Sequence, residues 1–270
     1  MYNINIDLED KCPCMSGKKF KNCCYKNNLL FEVSQGMWLK IDNNYYLEKL
    51  LNNKKFKTFY YSAYNKLDRQ IFFAIGLDLK SNKSTRQFEF EGKEYYVILV
   101  KNKKAKKNEA FEILHEIQHL LCGAEGFPSL TYDSNLGTYP QVLMNIIADP
   151  IVNRILINKK FNMKDYYSFG QNYHYDVIDK YPNKLTRYHN LWIIFVAIEK
   201  LLDGEFVGIN KDSNKIYILI KNKYPYLINE IDKIYNYIKS KNYYEKDIAF
   251  DIYSHLVKYY NLQNEISIIY

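Results

Sequence analysis

No stretch of this chain is apolar for long enough to cross a membrane. The apolar run Leu191 to Ile198 falls well short of the roughly 20 residues that a spanning helix needs. A secretory leader is not expected either, because Met1 to Asp10 is polar and acidic where a leader would be basic and then apolar. Together these absences predict a cytoplasmic protein without membrane attachment. Internal repeats are lacking, which excludes solenoids and propellers. Histidine is scarce, five in 270 residues, so a patterned pair of them carries weight. Cysteine is scarce outside one short window, and a reducing compartment argues against disulfides there.

What is present describes a globular protein. Apolar residues make up 47% and charged residues 25%, enough for one substantial core or for a small module plus a larger domain. Tyrosine is abundant, 28 residues, a bias most simply ascribed to an AT-rich genome. The formal charge is +8, and its densest run is the five lysines between Lys101 and Lys107. That run reads as a solvated loop, with a docking patch for an acidic partner as the alternative. No base-stacking motif accompanies it, so nucleic acid as a partner is left open but unsupported.

The segment from Phe111 to Gly123 holds His115-Glu116-Ile117-Gln118-His119. On a helix the two histidines lie four residues apart on one face, where both rings can bind one Zn²⁺. Glu116 is turned about 100° from His115, within reach of a water at that metal. Ala110, Ile113, Leu114, Ile117, Leu120 and Leu121 gather on the opposite side. Asn108 is the expected N-cap and Gly123 the expected stop. The bland alternative is an ordinary amphipathic helix whose wet face happens to carry two histidines.

Four of the five cysteines, Cys12, Cys14, Cys23 and Cys24, fall within thirteen positions. Four thiolates so close suit a closed tetrahedral zinc site, and a bound ion would supply much of the folding energy of so small a module. Ser16-Gly17 supplies the turn between the two pairs. With Pro13 and Lys18-Lys19-Phe20-Lys21 the run resembles the SEC-C motif, a zinc knuckle attached to many bacterial proteins. It departs at Met15, where the family usually has glycine. The resemblance implies a zinc-stabilised docking element over residues 1–27, and hence a protein partner.

Beyond a short hinge at Asn27-Asn28, residues 28–270 read as one domain. Leu29 to Leu51 is expected to form one or two helices, and Lys54 to Lys80 is ambiguous between helix and strand. Gln87 to Glu91 and Glu94 to Val100 alternate about Gly92 as a β-hairpin. Ala124 to Pro140 is turn-rich. Gln141 to Lys159 is helical, broken or kinked at Pro150. Further helices are expected over Tyr188 to Leu202, Tyr224 to Tyr237 and Tyr244 to Tyr260.

A catalytic zinc takes three protein ligands and leaves a position for water. Asp149 is the best third candidate, because a carboxylate on a mostly apolar helical stripe needs a partner. Asp149-Pro150 also reads as an N-cap and first helical residue, and both readings stand. Asn145, Ala148, Asp149 and Asn153 are similar to the second helix of metallopeptidases that precede von Willebrand A-like domains, although no such domain follows here. That resemblance implies Asp149 as a ligand. Glu125 and Cys122 are weaker candidates. His174, His189 and His255 read first as structural; one of them, or Tyr173 or Tyr175, could serve an oxyanion.

The expected architecture is therefore α+β and mostly helical. A small sheet packs on a zincin-type helix, behind an N-terminal zinc knuckle. The expected function is zinc-dependent hydrolysis, most simply of a peptide or protein. His115, His119 and Asp149 would hold a catalytic Zn²⁺, Glu116 would act as general base, and a second, structural Zn²⁺ would sit on the four cysteines. The alternatives are a non-catalytic regulatory protein that keeps the fold, and a zinc hydrolase acting on something other than peptides.

Overall fold

The computed structural model describes residues 9, 11–12, 17–23, 30–33, 36–41, 43–76, 83–90, 93–100, 105–106, 109–133, 136 and 139–270. Among them the chain is α+β and mostly helical, with two small sheets. It divides into two compact units, residues 1–121 and 122–270. No helix among the described residues is long and apolar enough to cross a membrane.

The first unit is built on a five-stranded sheet. Its strands are β1 (Leu30–Val33), β2 (Gly36–Ile41), β3 (Gln70–Gly76), β4 (Lys83–Phe90) and β5 (Lys93–Val100), in spatial order β1-β2-β3-β5-β4. β3 and β5 run parallel and the other pairs are antiparallel. The expected hairpin is present as β4 and β5, with Phe90 opposite Lys93, and β4 begins four residues earlier than its alternation shows. Where one or two helices were expected over Leu29 to Leu51, β1 and β2 pair antiparallel instead. Their aromatic and β-branched residues suit strands, and β2 finds an edge to pair with on β3, far along the chain. Only α1 (Asn43–Leu51) of that expectation is helical.

The ambiguous stretch after it resolves into both states, helix α2 (Lys54–Lys66) and then β3. Asn53 caps α2 by accepting from the Lys55 and Phe56 amides at 3.0 and 3.1 Å. β3 and β5 are apolar on both faces because both are covered. On one face Phe72, Ala74, Val97 and Leu99 cluster with Tyr95, and on the other Phe73 stacks on Tyr46 of α1 at 4.7 Å between ring centroids. Beyond the end of β2 the side chain of Asn43 takes over the β3 backbone. It donates to the Ile71 carbonyl at 2.8 Å and accepts from the Phe73 amide at 3.2 Å.

The histidine helix α3 (Ala110–Ala124) crosses the division between units, which falls between Leu121 and Cys122. Its expected cap, Asn108, lies outside the described residues. Its stop is Gly126, not Gly123, which is still helical. Gly126 has φ +79° and donates to the Gly123 carbonyl, while Phe127 donates to the Cys122 carbonyl. This pair of bonds is a Schellman ending, and it places the left-handed residue where glycine is cheapest.

The second unit is helical: α4 (Tyr139–Asn158), α5 (Lys164–Lys180), α6 (Arg187–Phe206), α7 (Lys215–Lys223), α8 (Ile228–Lys239) and α9 (Lys246–Tyr259). α6 is its axis. Every residue from Leu191 to Gly204 is buried, and α4, α5, α7 and α8 pack against it. Thr186 caps α6 by accepting from the His189 amide at 3.3 Å. α5 and α7 had no sequence expectation. The turn-rich stretch before α4 contains strand β6 (Ser129–Tyr132), which pairs antiparallel with β7 (Ile266–Ile269).

Candidate metal centre

Helix α3 is buried almost all round. Ile113, Leu114 and Ile117 are fully enclosed, and the face expected to be wet is covered as well, with His115 3% and Cys122 6% exposed. Only Glu112, Glu116 and His119 among its central residues are half-buried. A polar surface stripe is therefore not the reason for the histidines. The two rings face each other nearly edge to face, 4.6 Å between centroids and 81° apart, with Nε2 of His119 3.0 Å from Nε2 of His115. Both Nε2 atoms thus aim at one point. Beside them the Thr85 hydroxyl, from the edge strand β4, donates to the Glu116 carboxylate.

Asp149 lies in the middle of α4, which runs unbroken through Pro150. It is therefore no N-cap, and that alternative is removed. Its side chain is 7% exposed. The ligand atoms of His115, His119 and Asp149 all lie within 4.8 Å of one another, a group that could hold a metal ion. It is the group of that kind found among the described residues.

The other candidates stand apart from this role. Glu125 is exposed in the turn after α3, where its carbonyl accepts from Lys246. His189 sits at the start of α6 with Nδ1 2.9 Å from the Thr186 hydroxyl. His255 is an exposed residue stacked between Tyr237 and Tyr259. Tyr173 is 58% exposed on α5, and Tyr175 is half-buried there. His174 is different. Its Nδ1 is buried with no hydrogen-bond partner among the described residues, between the rings of Tyr173 and Trp192. Burial, then the nearby Lys200 charge, push its pKa down to about 3, against the opposing pull of Asp149.

Two features had no counterpart in the sequence reading. One is Thr85. The other is a set of charges inside the second unit: Glu199, Lys200 and Asp203 on α6 are 3, 4 and 1% exposed. Lys200 pairs with Glu199, and its Nζ lies 3.5 Å from Asp203 Oδ2. Burial, the largest influence, opposes the Lys200 charge, yet Glu199, Asp203 and Asp149 together raise its pKa. Burial raises that of Glu199, ahead of the opposing attraction of Lys200. Three charged residues within five positions of an apolar helix were the legible signal, since a helix buried all round must take its charges inside with it.

In the cysteine segment, Lys11 bridges antiparallel to Lys19, the Cys12 amide donates to the Lys18 carbonyl at 2.7 Å, and the buried Phe20 opens a short 3₁₀ turn (Phe20–Asn22) that Cys23 follows. Gly17 turns the chain with φ +75°. Cys14 and Cys24, with Pro13, Met15 and Ser16, lie outside the described residues, as do the Asn27-Asn28 hinge and most of the lysine run.

Comparison with known proteins agrees on this segment. Residues 10–26 match the SEC-C motif, which often binds zinc. No curated protein matches the chain in sequence, and no solved structure matches it in fold.

Proposed function

We propose that the protein is a zinc-dependent hydrolase, most simply a metallopeptidase, in which His115, His119 and Asp149 hold the ion and Glu116 is the general base. The observation that carries this reading is the convergence of two imidazoles and one carboxylate to within 4.8 Å, with His115 and Asp149 buried and His119 half-buried. The donor set fits zinc. Ligands about 2.0–2.1 Å from a tetrahedral ion lie roughly 3.3 Å from one another, and the 3.0 Å spacing of the two Nε2 atoms and the 4.8 Å limit bracket that distance. Two neutral imidazoles and one carboxylate also leave a position open, as catalytic rather than structural sites do.

When bound there, the ion would supply Lewis acidity, polarising a scissile carbonyl and making a water acidic enough to attack it at neutral pH. The chain supplies the proton traffic. Glu116 takes the proton of the attacking water and delivers it to the leaving amine. Thr85 holds one carboxylate oxygen of Glu116 by its hydroxyl, which leaves the other oxygen for the water. The SEC-C segment, with Cys12, Cys14, Cys23 and Cys24 on a second, structural zinc, supports a role in docking a protein partner or the substrate.

The test uses the full chain loaded with zinc and a library of quenched-fluorophore peptides. Wild type should cleave members of the library and carry two zinc ions. Glu116→Gln should keep both ions and lose cleavage by about a hundredfold or more. His115→Ala/His119→Ala should retain one. Cleavage that persists in Glu116→Gln, or a zinc content that the histidine variant leaves unchanged, refutes the proposal.

A further inference from the structure

The second unit carries a buried polar network one helical turn from Asp149, and it has no part in the chemistry above. Asn153 lies four residues after Asp149 on the same face of α4 and is 0% exposed. Its Nδ2 donates to Asp203 Oδ1 on α6 at 2.8 Å, while the other oxygen of Asp203 faces the Lys200 ammonium. The α6 side of this contact is itself braced. The Lys200 carbonyl accepts from Asn214 Nδ2 at 3.0 Å and from the Tyr167 hydroxyl at 3.4 Å. Asn214 in turn caps α7, accepting from the Ile216 and Tyr217 amides at 3.1 Å. Groups from α4, from α5 and from the cap of α7 thus meet the Lys200–Asp203 turn of α6, with Asn153 on the carboxylate itself.

Stability alone does not account for this arrangement. Well-packed apolar side chains in place of a buried ionic group are often neutral or more stabilising. What apolar packing does poorly is fix the rotation and slide of one helix on another, and a metal donor tolerates only a few tenths of an ångström of displacement. The need is greatest here, because Pro150 lacks an N–H and leaves the Ile146 carbonyl without its helical partner beside the aspartate. A step of one residue around α4 would swing the Asp149 carboxylate by about 100°.

We infer that Asn153 and Asp203 are positioning residues for Asp149: their buried hydrogen bond locks the α4 turn that presents the carboxylate to the metal. The inference rests on the metal reading above. Its test is zinc affinity of the full chain, measured with zinc alone in competition with a chromophoric chelator, alongside the melting temperature of the chelator-stripped protein. The relevant site is the equivalent of zinc lost in His115→Ala/His119→Ala, and if that variant loses none, it is the metal reading that fails.

Given that site, Asn153→Leu and Asp203→Asn should each weaken it by about 10–100-fold, the usual effect of removing a partner that orients a ligand. The reversal Asn153→Asp/Asp203→Asn keeps the total charge and restores a donor–acceptor pair with opposite polarity. It should recover most of the affinity. Both single variants binding zinc as the parent does, whatever their melting temperatures, would overturn the inference. So would a reversal as weak as the singles. Should Asn153→Leu fail to fold, Asp203→Asn, which keeps the side-chain shape, decides the matter together with the reversal.

Discussion

Replacing His174 by phenylalanine should flatten the dependence of stability on pH. In the folded chain the imidazole titrates near 3 instead of 6.5, chiefly because it is buried. The unfolded chain therefore takes up a proton below pH 6.5 that the folded chain refuses. Stability is whole above pH 6.5 and falls as pH drops toward 3, through this group alone. At about 1.4 kcal/mol per pH unit the loss is about 2 kcal/mol at pH 5 and about 3 kcal/mol at pH 4. Phenylalanine preserves the ring between Tyr173 and Trp192 and leaves no proton to gain. Urea unfolding of the chelator-stripped wild type and His174→Phe at pH 7, 6, 5 and 4 measures the difference, with other titrating groups cancelling between the two. The difference in unfolding free energy should shift by about 2 kcal/mol in favour of the variant between pH 7 and pH 5. Parallel curves would show that the imidazole protonates freely in the fold and would refute the reasoning.

Three further outcomes are expected. Thr85→Val removes the hydroxyl that holds Glu116, and should lower turnover about tenfold at unchanged zinc content, with Thr85→Ser close to wild type in the same assay. Gly126→Ala forces a side chain into φ +79° at the end of α3, and should cost about 1 kcal/mol in denaturant unfolding. Cys23→Ser should remove one equivalent of zinc by elemental analysis and leave the histidine-dependent equivalent in place.

The candidate site was largely legible because its parts are local. His115, Glu116 and His119 lie within one turn and a half of helix, and a helical period alone puts both rings on one side. Asp149 was legible as a charge on an apolar stripe, although its rival reading as a cap could be removed only by seeing α4 pass unbroken through Pro150. The parts that escaped are those created by distant pairing. The mixed apolar spacing of residues 30–41 allows helix or strand, and the strand wins because β3 offers β2 an edge some thirty-five residues later and β2 offers one to β1. Thr85 is an ordinary strand residue until β4 is set beside α3, and the Asn153–Asp203 bond joins positions 50 residues apart. Composition points to Gly123 as the helix end, whereas the left-handed stop falls at Gly126 three residues on.

The two-stranded ribbon of β6 and β7 ties residues 136 positions apart, Thr131 to Ser267. During synthesis β6 emerges long before its mate, so while about half of the 270 residues are added its unpaired backbone donors and acceptors have only water to meet. The turn after the histidine helix closes on its own local bonds, but native pairing of β6 must wait until residues 266–269 have left the ribosome. A nascent chain halted before Ile266 should leave the segment around Leu130 open to protease even with every helix from α4 to α9 already made.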